Sequence, residues 1–207
     1  MFPFSLLAAL LGLLSAQAAG PGASIATQGT PAGVAPCGSC HGPEGNGNAT
    51  FPAISGMNAD YLEAQILAIR DGERAAPVMA PSIAKLTDEE AAQVAAWYAS
   101  QARPAPRGTP TQAQLTLATP LIERGDWTGR DLPACSACHG EKLQGAGDNV
   151  PALAGQTPEY LAAQLGAFQS GTRSDPGALM SGVGERLTAD EISALSATIA
   201  AFDGGAQ

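Results

Sequence analysis

The chain has 207 residues, 45% hydrophobic and 14% charged, with 25 glycines and 16 prolines, which allows one medium or two small globular domains rich in loops. Its net charge of −9, from 10 basic and 19 acidic residues, is spread over both halves without a basic cluster. That argues against nucleic acid and favours basic protein surfaces as partners. Strand formers are sparse, whereas Ala and Leu recur beside Glu, Gln and Asp, so the fold class expected is all-α.

Residues 1–20, MFPFSLLAALLGLLSAQAAG, hold an apolar run closed by the small-residue pattern Ala16-Gln17-Ala18. This reads as an export signal spanning 1–19 with cleavage near 18–19, although its start carries no Lys or Arg. A retained membrane anchor is the alternative, against which the run is short compared with the about twenty residues a span requires.

The remainder is written twice. CGSCHG begins at Cys37 and CSACHG at Cys135, 98 residues later. Pro52/Pro151, Gly56/Gly155, Tyr61/Tyr160, Gln65/Gln164 and Gly72/Gly171 are each 99 apart, and Met79/Met180 and Leu86/Leu187 are 101 apart. Two domains of similar fold are expected, at 20–102 and 113–207, joined by a proline-rich linker at 103–112. In each copy a short helix or turn carries the cysteines and a glycine-rich loop follows. The pattern predicts helices over about Ala59–Asp71 and Pro158–Gln169, with Asn58 and Thr157 as caps. A Pro- and Gly-bearing loop then carries the methionine. Thr87…Glu90 and Thr188…Glu191 have capping-box spacing, opening helices that run to about Ser100 and Ala201.

All four cysteines and both histidines fall in the two clusters. A disulfide or thiol-redox site would not need an adjacent histidine twice, and zinc would want four ligands where each copy offers two thiols and one imidazole. Cys-x-x-Cys-His is instead the covalent attachment signature of a c-type haem. Two thiols add to the two vinyl groups of one porphyrin, and the following residue brings its imidazole to the iron. Cys37, Cys40, Cys135 and Cys138 are the expected anchors, with His41 and His139 as proximal ligands, for two covalently bound haem c groups.

Of the four methionines, Met1 lies in the signal and Met57 aligns with Gln156, leaving Met79 and Met180 in register as the expected sixth ligands. The carbonyls of Pro52 and Pro151 are candidates to receive the second ring N–H of each histidine. From the sequence, Tyr61, Tyr160, Arg70 and Arg173 fit either haem propionates or helix surfaces equally. Without a third histidine, a spare cysteine or an open coordination position, catalysis has little support and no substrate pocket is expected. Trp97 and Tyr98 in the first copy are replaced by Thr198 and Ile199 in the second, so the last helices should pack differently. Trp127 lies in a longer loop, 125–133, before Cys135 and could shield a haem edge or meet a partner.

CGSCHG with FPAISG, CSACHG with VPALAG, the paired helices YLEAQILAIRDGER and YLAAQLGAFQSGTR, and the methionine segments before KLTDEE and RLTADE resemble a two-haem class I cytochrome c. The resemblance is nearest to the cytochrome c4 family and covers about residues 31–203. It implies two tandem class I cytochrome c domains, each around one His/Met haem, with the two haems facing one another across a pseudo-twofold domain interface. It further implies a non-enzymatic electron carrier of the periplasm, free or membrane-associated. Its expected partners are a quinol-oxidising membrane complex as donor and a terminal oxidase as acceptor. The alternatives are the cytochrome subunit of a flavoprotein sulfide dehydrogenase or the electron acceptor of another dehydrogenase. A dihaem enzyme stands behind both.

Overall fold

The computed structural model describes residues 20–204, so the export-signal reading of 1–19 lies outside the described residues. Among those residues ten helices form one sequence of five elements given twice. The first set is α1 (Pro21–Gln28), α2 (Gly38–His41), α3 (Ala59–Arg70), α4 (Ala80–Ile83) and α5 (Asp88–Ala99). The second is α6 (Gln112–Glu123), α7 (Cys135–His139), α8 (Pro158–Gln169), α9 (Leu179–Arg186) and α10 (Ala189–Ala200). The only strand-like pairings described are two isolated bridges, Asp126–Leu132 and Ala146–Val150.

The long helices start where the local chemistry directs. Asn58 accepts the Tyr61 N–H at 3.1 Å, and Thr157 accepts that of Tyr160 at 3.4 Å. Thr87/Glu90 and Thr188/Glu191 form the reciprocal capping boxes read from their spacing. Two differences emerge. The methionine segments are helical rather than loops: Met79 is the N-cap residue of α4, and Met180 lies in the first turn of α9. The pattern also left α1 and α6 unassigned.

α1 crosses α5, and α3 packs on α5; correspondingly, α6 and α8 pack on α10. The first crossing is so close that a Cβ on Gly22 would lie 2.1 Å from the Gln93 carbonyl oxygen. Each half therefore has its own apolar core, around Val94 and Tyr98 in one and Ile122, Leu143 and Leu195 in the other. The last helices do pack differently, and a second exchange compensates. In the first half Gly45 (φ +80°) lies against the Tyr98 ring, where a Cβ would come within 2.6 Å. Its register partner Leu143 is fully buried at φ +54°, in a core that has Ile199 in place of tyrosine. A left-handed leucine costs about 1–2 kcal/mol, which the burial of its side chain offsets.

The halves meet through a network that repeats itself. Arg74 donates from Nη1 to Gln65 Oε1 at 2.7 Å, and from Nη2 to the Tyr160 hydroxyl at 2.8 Å and Gln164 Oε1 at 3.2 Å. Arg173 donates from Nη1 to Gln164 Oε1 at 2.6 Å, and from Nη2 to Gln65 Oε1 at 3.3 Å and the Tyr61 hydroxyl at 3.4 Å. Each of these residues is 99 positions from its counterpart, so the contact has the pseudo-twofold character that the family resemblance implies. Between α5 and α6, Arg107 fastens the connecting segment through Nε to the Gly155 carbonyl at 2.9 Å and through Nη2 to the Asn46 carbonyl.

Candidate haem sites

Both cysteine clusters occupy a single helical turn. Cys37 has helical dihedrals at the start of α2, and the His41 N–H reaches its carbonyl at 3.0 Å. Cys37 and Cys40, three residues apart, therefore share one face of the turn, as do Cys135 and Cys138 in α7. No disulfide joins any of the four. Cys40 and Cys138 are exposed, whereas Cys37 and Cys135 sit against the two cores. Burial raises the Cys37 pKa and pushes that of Cys135 up to about 11.

Glycine ends each turn. Gly42 (φ +83°) and Gly140 (φ +84°) take the left-handed region that reverses the chain after the histidine. The loop then folds back, with the Gly47 N–H on the His41 carbonyl and the Gly145 N–H on the His139 carbonyl, both at 2.8 Å. This return delivers the prolines. His41 Nδ1 lies 2.9 Å from the Pro52 carbonyl oxygen, and His139 Nδ1 lies 2.8 Å from that of Pro151. A carbonyl only accepts, so Nδ1 carries the proton in both rings and Nε2 is left with its lone pair. Burial lowers both histidine pKa values more than the carbonyl contacts raise them, which keeps the imidazoles neutral.

Met79 is partly buried against the first core, as is Cys37. Met180 is partly buried in α9. Its turn is fastened by Asp175, which accepts the Met180 N–H at 3.1 Å and both the N–H and hydroxyl of Ser181 at 3.0 Å. Burial alone would raise the Asp175 pKa, but these donors outweigh it and hold the carboxyl below its ordinary range. The first domain's turn is held by backbone, with the Ala80 N–H on the Ala76 carbonyl at 2.9 Å. Sequence reading missed Asp175; its signal is the two-residue insertion ahead of Met180.

Other candidates separate clearly. Arg70 pairs with Asp71 and Asp88 at 2.8 and 2.6 Å and belongs to the helix surface. Arg173, Tyr61 and Tyr160 belong to the contact between halves. Trp127 is 64% exposed and covers no core. The candidate donor set in each half is two thiols, one neutral imidazole with a free Nε2, and a partly buried thioether. It fits a covalently anchored, soft-ligated iron porphyrin and not a hard cation.

Fold and donor sets together define the class, a tandem of two small helical domains that each carry a haem c. Residues 25–97 match the family described as cytochrome c oxidase, cbb3-type, subunit III, and residues 129–200 match the cytochrome c family. The chain is 40% identical over 203 residues to a thiosulfate dehydrogenase electron acceptor of Stutzerimonas stutzeri, covering 94% of this chain and 92% of that protein. It is 34% identical over 170 residues to cytochrome c4 of Pseudomonas aeruginosa, covering 80% and 83%. Among solved structures, cytochrome c4 from Pseudomonas stutzeri superposes with a TM-score of 0.76 at 30% identity, over 82% of this chain and 95% of that one. A thiosulfate dehydrogenase from Marichromatium purpuratum gives 0.83 at 40% identity over 88% of this chain, which spans 40% of that longer chain. The chain belongs to the dihaem class I cytochromes c near the cytochrome c4 family. It is an electron carrier with two covalently bound haem c groups.

Proposed function

We propose that this cytochrome accepts electrons from a thiosulfate-oxidising dehydrogenase and passes them to a respiratory acceptor. The observation that carries the reading is the 40% identity, spanning 92% of its length, to a protein named as a thiosulfate dehydrogenase electron acceptor. This replaces the quinol-oxidising donor first expected by one of the dehydrogenase partners held as alternatives. Joining two thiosulfate ions through a sulfur–sulfur bond releases two electrons, matching two one-electron centres in one chain. A terminal oxidase remains the acceptor proposed.

The haems supply the one-electron chemistry, and the chain's residues hold them. Cys37 and Cys40 anchor the first, ligated by His41 and Met79; Cys135 and Cys138 anchor the second, ligated by His139 and Met180. Pro52 and Pro151 orient the imidazoles. Residues 1–19 form an export leader, 20–102 and 113–207 the two domains, and 103–112 their linker; the place of work is the periplasm. Among the described residues no helix is long and apolar enough to cross a membrane.

The test is stopped-flow reduction of the haem-loaded protein. A purified thiosulfate-oxidising dehydrogenase plus thiosulfate should reduce both haems, and thiosulfate alone should reduce neither. Reduction by thiosulfate alone would overturn the carrier reading. Reduction by a flavoprotein sulfide dehydrogenase, with none by the thiosulfate enzyme, would overturn the choice of donor.

A further inference from the structure

The contact between the halves breaks its symmetry at Gln156. Gln156 is 2% exposed and stands where the first copy has Met57. Its Oε1 accepts the Ala53 N–H at 2.8 Å and the Thr157 N–H at 2.9 Å, while its Nε2 donates to the Ala53 carbonyl at 2.8 Å. Both ends of the amide are fixed by chemistry, since only oxygen can accept the N–H and only nitrogen can donate to the carbonyl. A methionine offers neither group, so Met57 makes no such pair with Ala152.

The Ala53 N–H belongs to the same peptide group as the Pro52 carbonyl, and that carbonyl faces His41 Nδ1 at 2.9 Å. A hydrogen-bond chain therefore runs from His41 Nδ1–H through one peptide to Gln156 Oε1, from one domain into the other. Bonding at the N–H of a peptide polarises it and makes its carbonyl a better acceptor. A better acceptor at Nδ1–H makes the imidazole a stronger donor to the metal and favours ferric iron.

We propose that Gln156 is a positioning residue for the proximal histidine of the first haem, acting across the domain boundary through the Pro52–Ala53 peptide. It holds the first haem's potential below the value that domain would have alone, and it has no counterpart acting on the second. The inference rests on His41 being the proximal ligand, as proposed above.

Gln156→Met carries the residue of the twin position and conserves length. Spectroelectrochemical titration should show the first haem easier to reduce, by about threefold in its reduced-to-oxidised ratio or about 28 mV at 59 mV per tenfold. The second haem should stay where it was, although the substitution lies in its own domain. A shift equal at both haems, or none at the first, overturns the proposal. Should the variant fail to load haem, the native protein supplies the reading. Hydrogen exchange at His41 Nδ1–H and the Ala53 amide should be slower than at His139 Nδ1–H and the Ala152 amide, and equal rates overturn it. The ligand assignment is tested apart with His41→Ala, which should abolish the low-spin spectrum of one haem. Two intact low-spin spectra there would remove the assignment and the proposal together. A lost spectrum with an unmoved Gln156→Met potential would remove the proposal alone.

Discussion

With Met180 as the proposed ligand of the second haem, replacing Asp175 by alanine should loosen that ligand and leave the first haem alone. Helix α9 begins at Ala178 in the left-handed region, φ +54°, with no side-chain cap from that residue. The Asp175 carboxylate supplies the acceptor instead, taking Met180 N–H at 3.1 Å and the two Ser181 donors at 3.0 Å. Losing a capping carboxylate costs about 0.5–2 kcal/mol, and hydrogen bonds to a charged group about 1.5–3 each where water is excluded. Asp175 is partly exposed, so water replaces much of what is lost and the net cost is set near 2 kcal/mol. At 1.4 kcal/mol per tenfold, that raises the population with the Met180 turn released by roughly 30-fold. An external ligand that binds only the released form gains apparent affinity in proportion. Imidazole should therefore bind the second haem of oxidised Asp175→Ala at roughly 30-fold lower concentration than in the parent, followed by loss of the methionine–iron absorption band. Asp175→Asn, which keeps one oxygen acceptor without charge, should fall between. Unchanged imidazole affinity, or a change at the first haem, would refute the reasoning.

With the ligands assigned as proposed, Met180→His should lower the second haem's potential, because imidazole favours ferric iron more than thioether does, and Met180→Ala should admit small exogenous ligands; redox titration and absorption spectra check both. The Arg130 guanidinium pairs with the Glu191 carboxylate through two contacts of 2.9 Å and, aided by Thr188, holds its pKa below the ordinary range against the opposing effect of burial. A depressed folded pKa means stability present above the unfolded value of about 4.3 and lost as pH falls from there through the folded value. Arg130→Ala should thus cost about 1–2 kcal/mol at neutral pH, after discounting for a side chain 31% exposed, and flatten the fall in melting temperature below about pH 4. Arg74→Ala and Tyr160→Phe, 2.8 Å partners across the domains, should each weaken docking, and their double-mutant cycle in urea should give a coupling of about 0.5–1.5 kcal/mol; a coupling of zero would mean the contact is incidental.

Features fixed by neighbouring residues were legible in the sequence. The capping boxes at Thr87 and Thr188, the caps at Asn58 and Thr157, and the placement of Pro52 and Pro151 beside the histidines all depend on short spacings and on the repeat. What escaped depends on distant partners or on caps outside the usual spacing. Leu179–Arg186 contains Gly182 and Gly184, poor helix formers, and its turn is held by a carboxylate outside the helix. Pro21–Gln28 is eight residues long without a side-chain cap, and its close seat against Gln93 exists only in the folded chain. Gln156 reads as a lone polar residue until Ala53, 103 positions away, is brought to it. Where a signal was usable it was a break in the repeat: Met57 against Gln156, the insertion ahead of Met180, and Gly45 with Tyr98 against Leu143 with Ile199.

Those breaks do not fall at random around the two centres. The Arg74–Tyr160 and Arg173–Tyr61 contacts obey the twofold and set the domains against one another without distinguishing them. Gln156 acts on the histidine side of the first domain, whereas Asp175 acts on the methionine side of the second. Each reaches its target through backbone, so neither disturbs the donor set that both halves share. Duplicated domains with identical ligands would tend toward equal potentials, and an electron would then rest on either iron without preference. Two unlike contacts, one beside the histidine proposed for the first haem and one beside the methionine proposed for the second, would remove that degeneracy and leave the four proposed ligands unchanged. The consequence is that Gln156→Met and Asp175→Ala should act additively. Both lie in the second domain, but in separate hydrogen-bond networks, and residues without shared partners couple only weakly.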